Sequence, residues 1–215
     1  MQIDGFTAAI MIVVFVSSLA RTVFGFGNAL AAMPLLALAG MEMKTAAPLV
    51  ALVSLLLGAA ILLQNWKSMD IRSAWRLLAS SAAGIPIGTL LVKSAYETVG
   101  ELLLAFIIIG FSGYSLARPK LIELKNDWLA YPFGFIAGIL GGAYNSNGPP
   151  VVIYGALRGW RPDELRATLQ GYFLPSSIII VAGHGVGGLW TPVVLHDLLL
   201  SLPAVLVALL LGRRL

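Results

Sequence analysis

The chain contains no cysteine, so disulfides, thiolate metal sites and cysteine nucleophiles are excluded together. Charge is scarce as well: Asp, Glu, Lys and Arg make up 11% of the 215 residues, and only 2 histidines accompany them. The charges that exist gather into short islands, and residues 46–63 and 77–92 hold no ionisable side chain. Missing too are the runs of about ten alternating apolar and polar residues that mark membrane-spanning strands. No acidic residue stands in the middle of an apolar run, and no Ser/His/Asp set or His-rich metal spacing occurs. The glycines of 183–188 lack the lysine and strand context of a nucleotide loop. An enzyme, a metal centre or a bound cofactor is therefore not expected.

What is present is apolar. With 59% hydrophobic residues the chain has more such surface than a compact soluble fold hides from water, which predicts an all-α, polytopic transmembrane helical bundle. The formal charge of +4 then reads as loops facing anionic lipid, not as a nucleic-acid surface. The expected partners are a lipid bilayer and a small solute, and homo-oligomerisation is left open. No basic residue precedes Arg21 and no small-residue cleavage site follows the first apolar run, so that run reads as a retained helix, not a signal peptide.

Nine charge-poor segments are legible, at 6–20, 29–39, 46–63, 77–92, 102–116, 128–140, 150–157, 169–182 and 193–211. At 1.5 Å per residue, 29–39 reaches roughly 17 Å and 150–157 about 12 Å, short of a hydrocarbon core of about 30 Å. Each follows another apolar segment after a Gly-rich break, so each pair is one broken helix or a re-entrant hairpin. If both pairs cross, Lys67, Arg72, Arg76, Arg118, Lys120 and Lys125 face one side and Arg158, Arg161, Arg166, Arg213 and Arg214 the other. If both return, all of these share one face, opposite Lys44 and Lys93, and the positive-inside rule selects that arrangement. The N-terminus is then outside, the basic loops are cytoplasmic, and the two halves enter from opposite sides. A weak internal repeat agrees: Gly27 and Ala46 are spaced as Gly148 and Ala167 are, and GIPIGTLL aligns with ALLLGRRL. Two inverted repeats follow, 1–126 and 127–215, each opening with a broken or re-entrant helix hairpin. The second half stops one span earlier than the first, so a further helix is expected beyond it.

The two breaks are the candidate site. The first carries Arg21, Gly25, Gly27 and Asn28; the second carries Asn145, Ser146, Asn147, Gly148 and Pro149. Interrupted backbone in hydrocarbon survives where it lines a cavity, and a half-helix starting there presents free N–H groups and a positive dipole end to a small anion. Glycine allows close approach, the Asn-Ser-Asn run adds side-chain donors, and Arg21 adds fixed charge. Arg21 as a snorkelling anchor is the competing reading. Gly84, Gly88, Gly110 and Gly113 read as helix-packing positions. Tyr144, Tyr154, Tyr172 and Gln170 are open between pathway and interface. His184, His196 and Asp197 read as solvated near the outer surface. A carrier moving an anion between two hairpin tips is the expectation; a passive anion channel and a non-transporting scaffold are the alternatives.

FGFGNALAAMPLLAL and NSNGPPVVIYGALRGWRPDELRATLQGYF, with QNWKSMDIRSAWRLL, GIPIGTLLV and the terminal LLLGRRL, resemble the TauE/SafE family of sulfite-exporter-like membrane permeases. The resemblance covers nearly the whole chain. It implies an inner-membrane permease for sulfite, sulfoacetate or related organosulfur and small organic anions, usually moved outward. The family's two glycine-rich motifs fall on Gly25, Gly27, Gly148, Pro149 and Pro150. Where many members carry glycines ahead of the Gly-Pro pair, this chain has Asn145, Ser146 and Asn147.

Overall fold

The structure is a computed structural model that describes residues 5–62, 70–93, 97–117, 126–212 and 214. Among these residues all regular structure is helical: α1 (Gly5–Phe24), α2 (Asn28–Leu38), α3 (Met43–Leu62), α4 (Ile71–Lys93), α5 (Glu97–Ala117), α6 (Ala130–Tyr144), α7 (Gly148–Leu157), α8 (Pro162–Val186) and α9 (Pro192–Gly212). A single 3-10 turn, Asp127–Leu129, precedes α6. Among the described residues five helices are long and apolar enough to cross a membrane: α1, α3 over Met43–Ile61, α4, α8 and α9. Their outward side chains are those of a lipid-facing surface: Ile12 is 62% exposed, Trp75 67% and Leu210 63%. Lys67, Arg118, Lys120, Lys125 and Arg213 lie outside the described residues.

α2 and α7 are too short to cross, and each stops in the same way. Gly40 and Gly159 take positive φ, while the N–H of Met41 reaches back to the Leu36 carbonyl and that of Trp160 to Gly155, five residues earlier. At their other ends the chain breaks at Gly25 and Gly27 (φ 85° and 94°) and at Asn145 (φ 53°), left-handed positions that no helix continues through.

Contacts fix the direction of each helix. Glycines of α6 meet the α4 backbone at steadily rising positions, Gly134 at Leu77, Gly138 at Ser81 and Gly142 at Ile85, so the two run parallel at a distance that leaves no room for a Cβ. The α8 helix is parallel to α4 as well, through Asp70 with Thr168 and Ser81 with Tyr172. It is antiparallel to α3, since Gly58 faces Leu174 while Ala51 packs with Ile180 and Val181. Asp127, just before α6, pairs at 2.9 Å with Arg158, just after α7, and the Phe133 and Tyr154 rings lie 5.7 Å apart. The α6–α7 pair therefore enters and leaves at one end, the basic end, where Arg72 and Arg76 also reach Asp127.

At the other end α2 turns into α3, and Asn28 at its start sits beside Ser54, midway along α3. Asn147 likewise reaches Ser176, midway along α8. Two chain reversals thus approach from opposite ends and meet at mid-depth.

Several positions differ from the sequence reading. The α8 helix begins at Pro162, so Arg166 and Gln170 are helical residues instead of a loop and a helix start. His184 is fully buried with Nε2 on the Gly142 carbonyl at 2.7 Å, and Asp197 is buried against the bundle; neither is a solvated surface group. Gly84 and Gly88 pack against α6 as expected, but a Cβ at Gly110 or Gly113 would meet nothing within 4 Å, because α5 lies at the periphery.

Candidate functional site

Between the reversals lies a hollow of about 20 Å³, room for the centre of one water-sized sphere. Arg21, Gly27, Asn28, Asn145, Ser146, Asn147 and Gly148 line it, joined by Phe26, Ala29, Leu30 and Phe173, which sequence reasoning did not select. Gly25 and Pro149 are not in the lining. Gly25 stands one step below, its carbonyl held by Gln170, and Pro149 has no N–H to offer.

Arg21 is the central feature. It lies inside α1, not at an interface, and is 3% exposed, which removes the anchor reading. Its Nη1 donates to Asn28 Oδ1 at 3.1 Å, and the guanidinium carbon stands 5.4 Å from the centre of the Phe173 ring. Nε and Nη2 have no partner, and among the described residues no carboxylate pairs with the group. Gly58 makes the space: a Cβ there would stand 3.3 Å from Nη2. A buried cation with open donors and no counter-ion costs several kcal/mol, an arrangement a bound oxyanion would relieve with paired, charge-assisted hydrogen bonds.

The amides around it are tied together by one hydroxyl. Ser54 Oγ accepts from Asn28 Nδ2 at 2.6 Å and from Asn145 Nδ2 at 2.5 Å, and itself donates to the Val50 carbonyl at 2.7 Å. On the other flank Asn147 Nδ2 donates to Ser176 Oγ at 3.1 Å. Neither α2, capped by Gly27, nor α7, capped by Asn147, has a side chain closing its first turn, so the initial N–H groups stay available toward the hollow. The α2 helix contributes Asn28, Ala29 and Leu30; α7 contributes Gly148, after which Pro149 and Pro150 carry no donor. Tyr154 and Tyr172 are core residues, the latter with its hydroxyl 2.7 Å from Ser81 Oγ; Tyr144 is buried beside the second reversal without lining the hollow. Among the described residues no group of three or more His, Asp or Glu is placed to hold a metal.

The family model described as "Sulfite exporter TauE/SafE" matches residues 10–215. The protein described as "Probable sulfite/organosulfonate exporter TauE" from Cupriavidus necator is 29% identical over 203 residues, which cover 90% of this chain and 78% of the relative. No solved structure matches.

Proposed function

Since the chain belongs to the TauE/SafE sulfite exporter family, a family of multi-pass membrane transporters, we propose that it carries sulfite or a small sulfonate through the hollow between its two reversals. The observation that carries this reading is Arg21: a guanidinium buried at mid-depth with two free donors needs an anionic partner that none of the described residues supplies. An oxyanion there would take a forked pair of bonds from Arg21, one or more N–H groups of the α2 start, and side-chain bonds from Asn145 and Asn147. A sulfite ion has four heavy atoms, whereas the hollow of about 20 Å³ admits one water, so binding requires the reversals to part. Parting toward one end and then the other is alternating access around a fixed site, the behaviour of inverted-repeat carriers. The repeats would be 1–126 and 127–215. By the positive-inside rule the basic end is cytoplasmic and the N-terminus faces the opposite side of the inner membrane.

The test is counterflow of labelled sulfite and of an alkylsulfonate in proteoliposomes. The carrier reading expects uptake against a gradient when the lumen is preloaded, and its loss in Arg21→Gln. Flux that never shows counterflow identifies a passive channel instead. Wild-type flux in Arg21→Gln removes the guanidinium from the route.

A further inference from the structure

One face of α8 connects the hollow to the basic end. Arg166 is exposed there; Gln170, one turn further in, is buried; Phe173 lines the hollow under Arg21; and Ser176 holds Asn147. Steps of four, three and three residues keep these side chains on one side of the helix. Gln170 Nε2 donates to the Gly25 carbonyl at 2.6 Å and so ties α8 to the first reversal. A Cβ at Gly25 would lie 3.5 Å from that nitrogen and 3.9 Å from Arg166 Cγ, so these three residues fill the gap between hollow and basic end. The amide oxygen of Gln170 is buried and unpartnered. An acceptor so placed repels an anion, which makes Gln170 unsuited to hold the solute and suited to stand across its route.

We infer that the anion passes between the hollow and the basic end along this face of α8, and that the Gln170 to Gly25 hydrogen bond is the gate that closes the passage. Breaking it frees the α8 face from the first reversal while leaving the contacts of Asn28, Asn145 and Asn147 in place. What passes rests on the anion-carrier reading; the gate itself is tested without any flux.

The absence of cysteine supplies the experiment, because Ala29→Cys places a single thiol in the hollow wall. A membrane-impermeant, negatively charged thiosulfonate is added to one end at a time of protein oriented in liposomes. Labelling from the basic end should be slow in Ala29→Cys alone. Adding Gln170→Ala should speed it by about five- to tenfold, the effect of removing one hydrogen bond from the closed state, with no change from the opposite end. Gln170→Met, similar in length but without a donor, should give the same one-sided rise. An unchanged basic-end rate in both variants, or an equal rise from both ends, overturns the gate. Failure of the carrier reading shows elsewhere, as flux through the unmutated protein that never shows counterflow, and leaves the labelling result standing.

Discussion

The two reversals meet at one hollow but bring different chemistry to it. The first is made of glycine and charge: Gly25 and Gly27 turn the chain at positive φ, Arg21 carries the cation, and the helix that follows offers consecutive N–H groups. The second is made of amides and proline: Asn145 makes the turn itself at φ 53°, Ser146 and Asn147 follow, and Pro149 and Pro150 leave α7 with few N–H groups. The first is thus an electrostatic half-site and the second a geometric one. A fixed charge decides whether an oxyanion enters at all, whereas neutral amides decide how it is oriented and which shapes fit.

That division orders the expected effects. Arg21→Gln removes what is, among the described residues, the one cation lining the hollow and should lower flux at least about a hundredfold, since each hydrogen bond to a charged group contributes about 1.5–3 kcal/mol. Arg21→Lys keeps the charge and loses the fork, and should recover part of that flux in proteoliposomes. Asn145→Leu acts on the second half-site and should cost about tenfold while membrane insertion is kept. If Asn145→Leu proves more damaging than Arg21→Gln, the assignment of roles to the two reversals is reversed.

Much of this arrangement is legible in the sequence, for physical reasons that can be named. Clustered glycine, asparagine and proline in an otherwise apolar run interrupt a helix, although single prolines such as Pro86 and Pro175 stay inside one, so both breaks and both short helices appear before any coordinates. The distribution of basic residues then decides that the α6–α7 pair returns to its own end, and the Asp127 to Arg158 ion pair agrees. The depth of Arg21 is not legible, because an arginine near the end of an apolar segment looks the same whether it snorkels or is buried; only the continuation of α1 to Phe24 and its packing on Gly58 and Phe173 distinguish them. Ser54 is hidden for a different reason. A lone serine in a membrane helix commonly bonds its own helix carbonyl, as Ser54 does to Val50, and nothing in the local sequence announces that two asparagines from distant segments use the same oxygen. Gln170 is singled out by the sequence but left open between pathway and interface, because the polar stretch before it reads as a loop, whereas Pro162 starts the helix two turns earlier.

Ser54 is where the comparison can be sharpened, since its hydroxyl joins the two half-sites. Ser54→Ala leaves the Asn28 amide without this acceptor and Asn145 with only the longer bond to the Val50 carbonyl at 3.4 Å. A buried donor left unpaired costs about 1–3 kcal/mol, so the variant should melt several degrees lower in detergent and transport several-fold more slowly. The more telling measurement is a double-mutant cycle. Asn28→Ala and Asn145→Ala should each be less damaging in the Ser54→Ala background than alone, because the bond they remove is already gone. Strict additivity would mean that the half-sites work independently.

The smallest effect concerns the base of the second reversal, where Asp127 holds Arg76 at 2.8 Å, Arg158 at 2.9 Å and Arg72 at 3.5 Å. The hydrogen bond from Arg76 and the charges of the three arginines hold its carboxyl below the usual carboxylate range, against a smaller opposing effect of partial desolvation. A carboxyl depressed in the folded state contributes stability above its unfolded value, near pH 4, and that contribution is lost as the pH falls through the lower folded value. Hydrogen exchange at the start of α6 should therefore be flat from pH 7 down to about 5, once corrected for its intrinsic rate, and should quicken only below about 4. Asp127→Asn should produce the quickened exchange already at neutral pH, by about threefold at most, since the cluster is partly exposed and solvent-screened. The first reversal has no such acidic clamp among the described residues, so its exchange should not respond over the same range. A matching acid response at the start of α2 would show that the two hairpins are held by one shared set of charges.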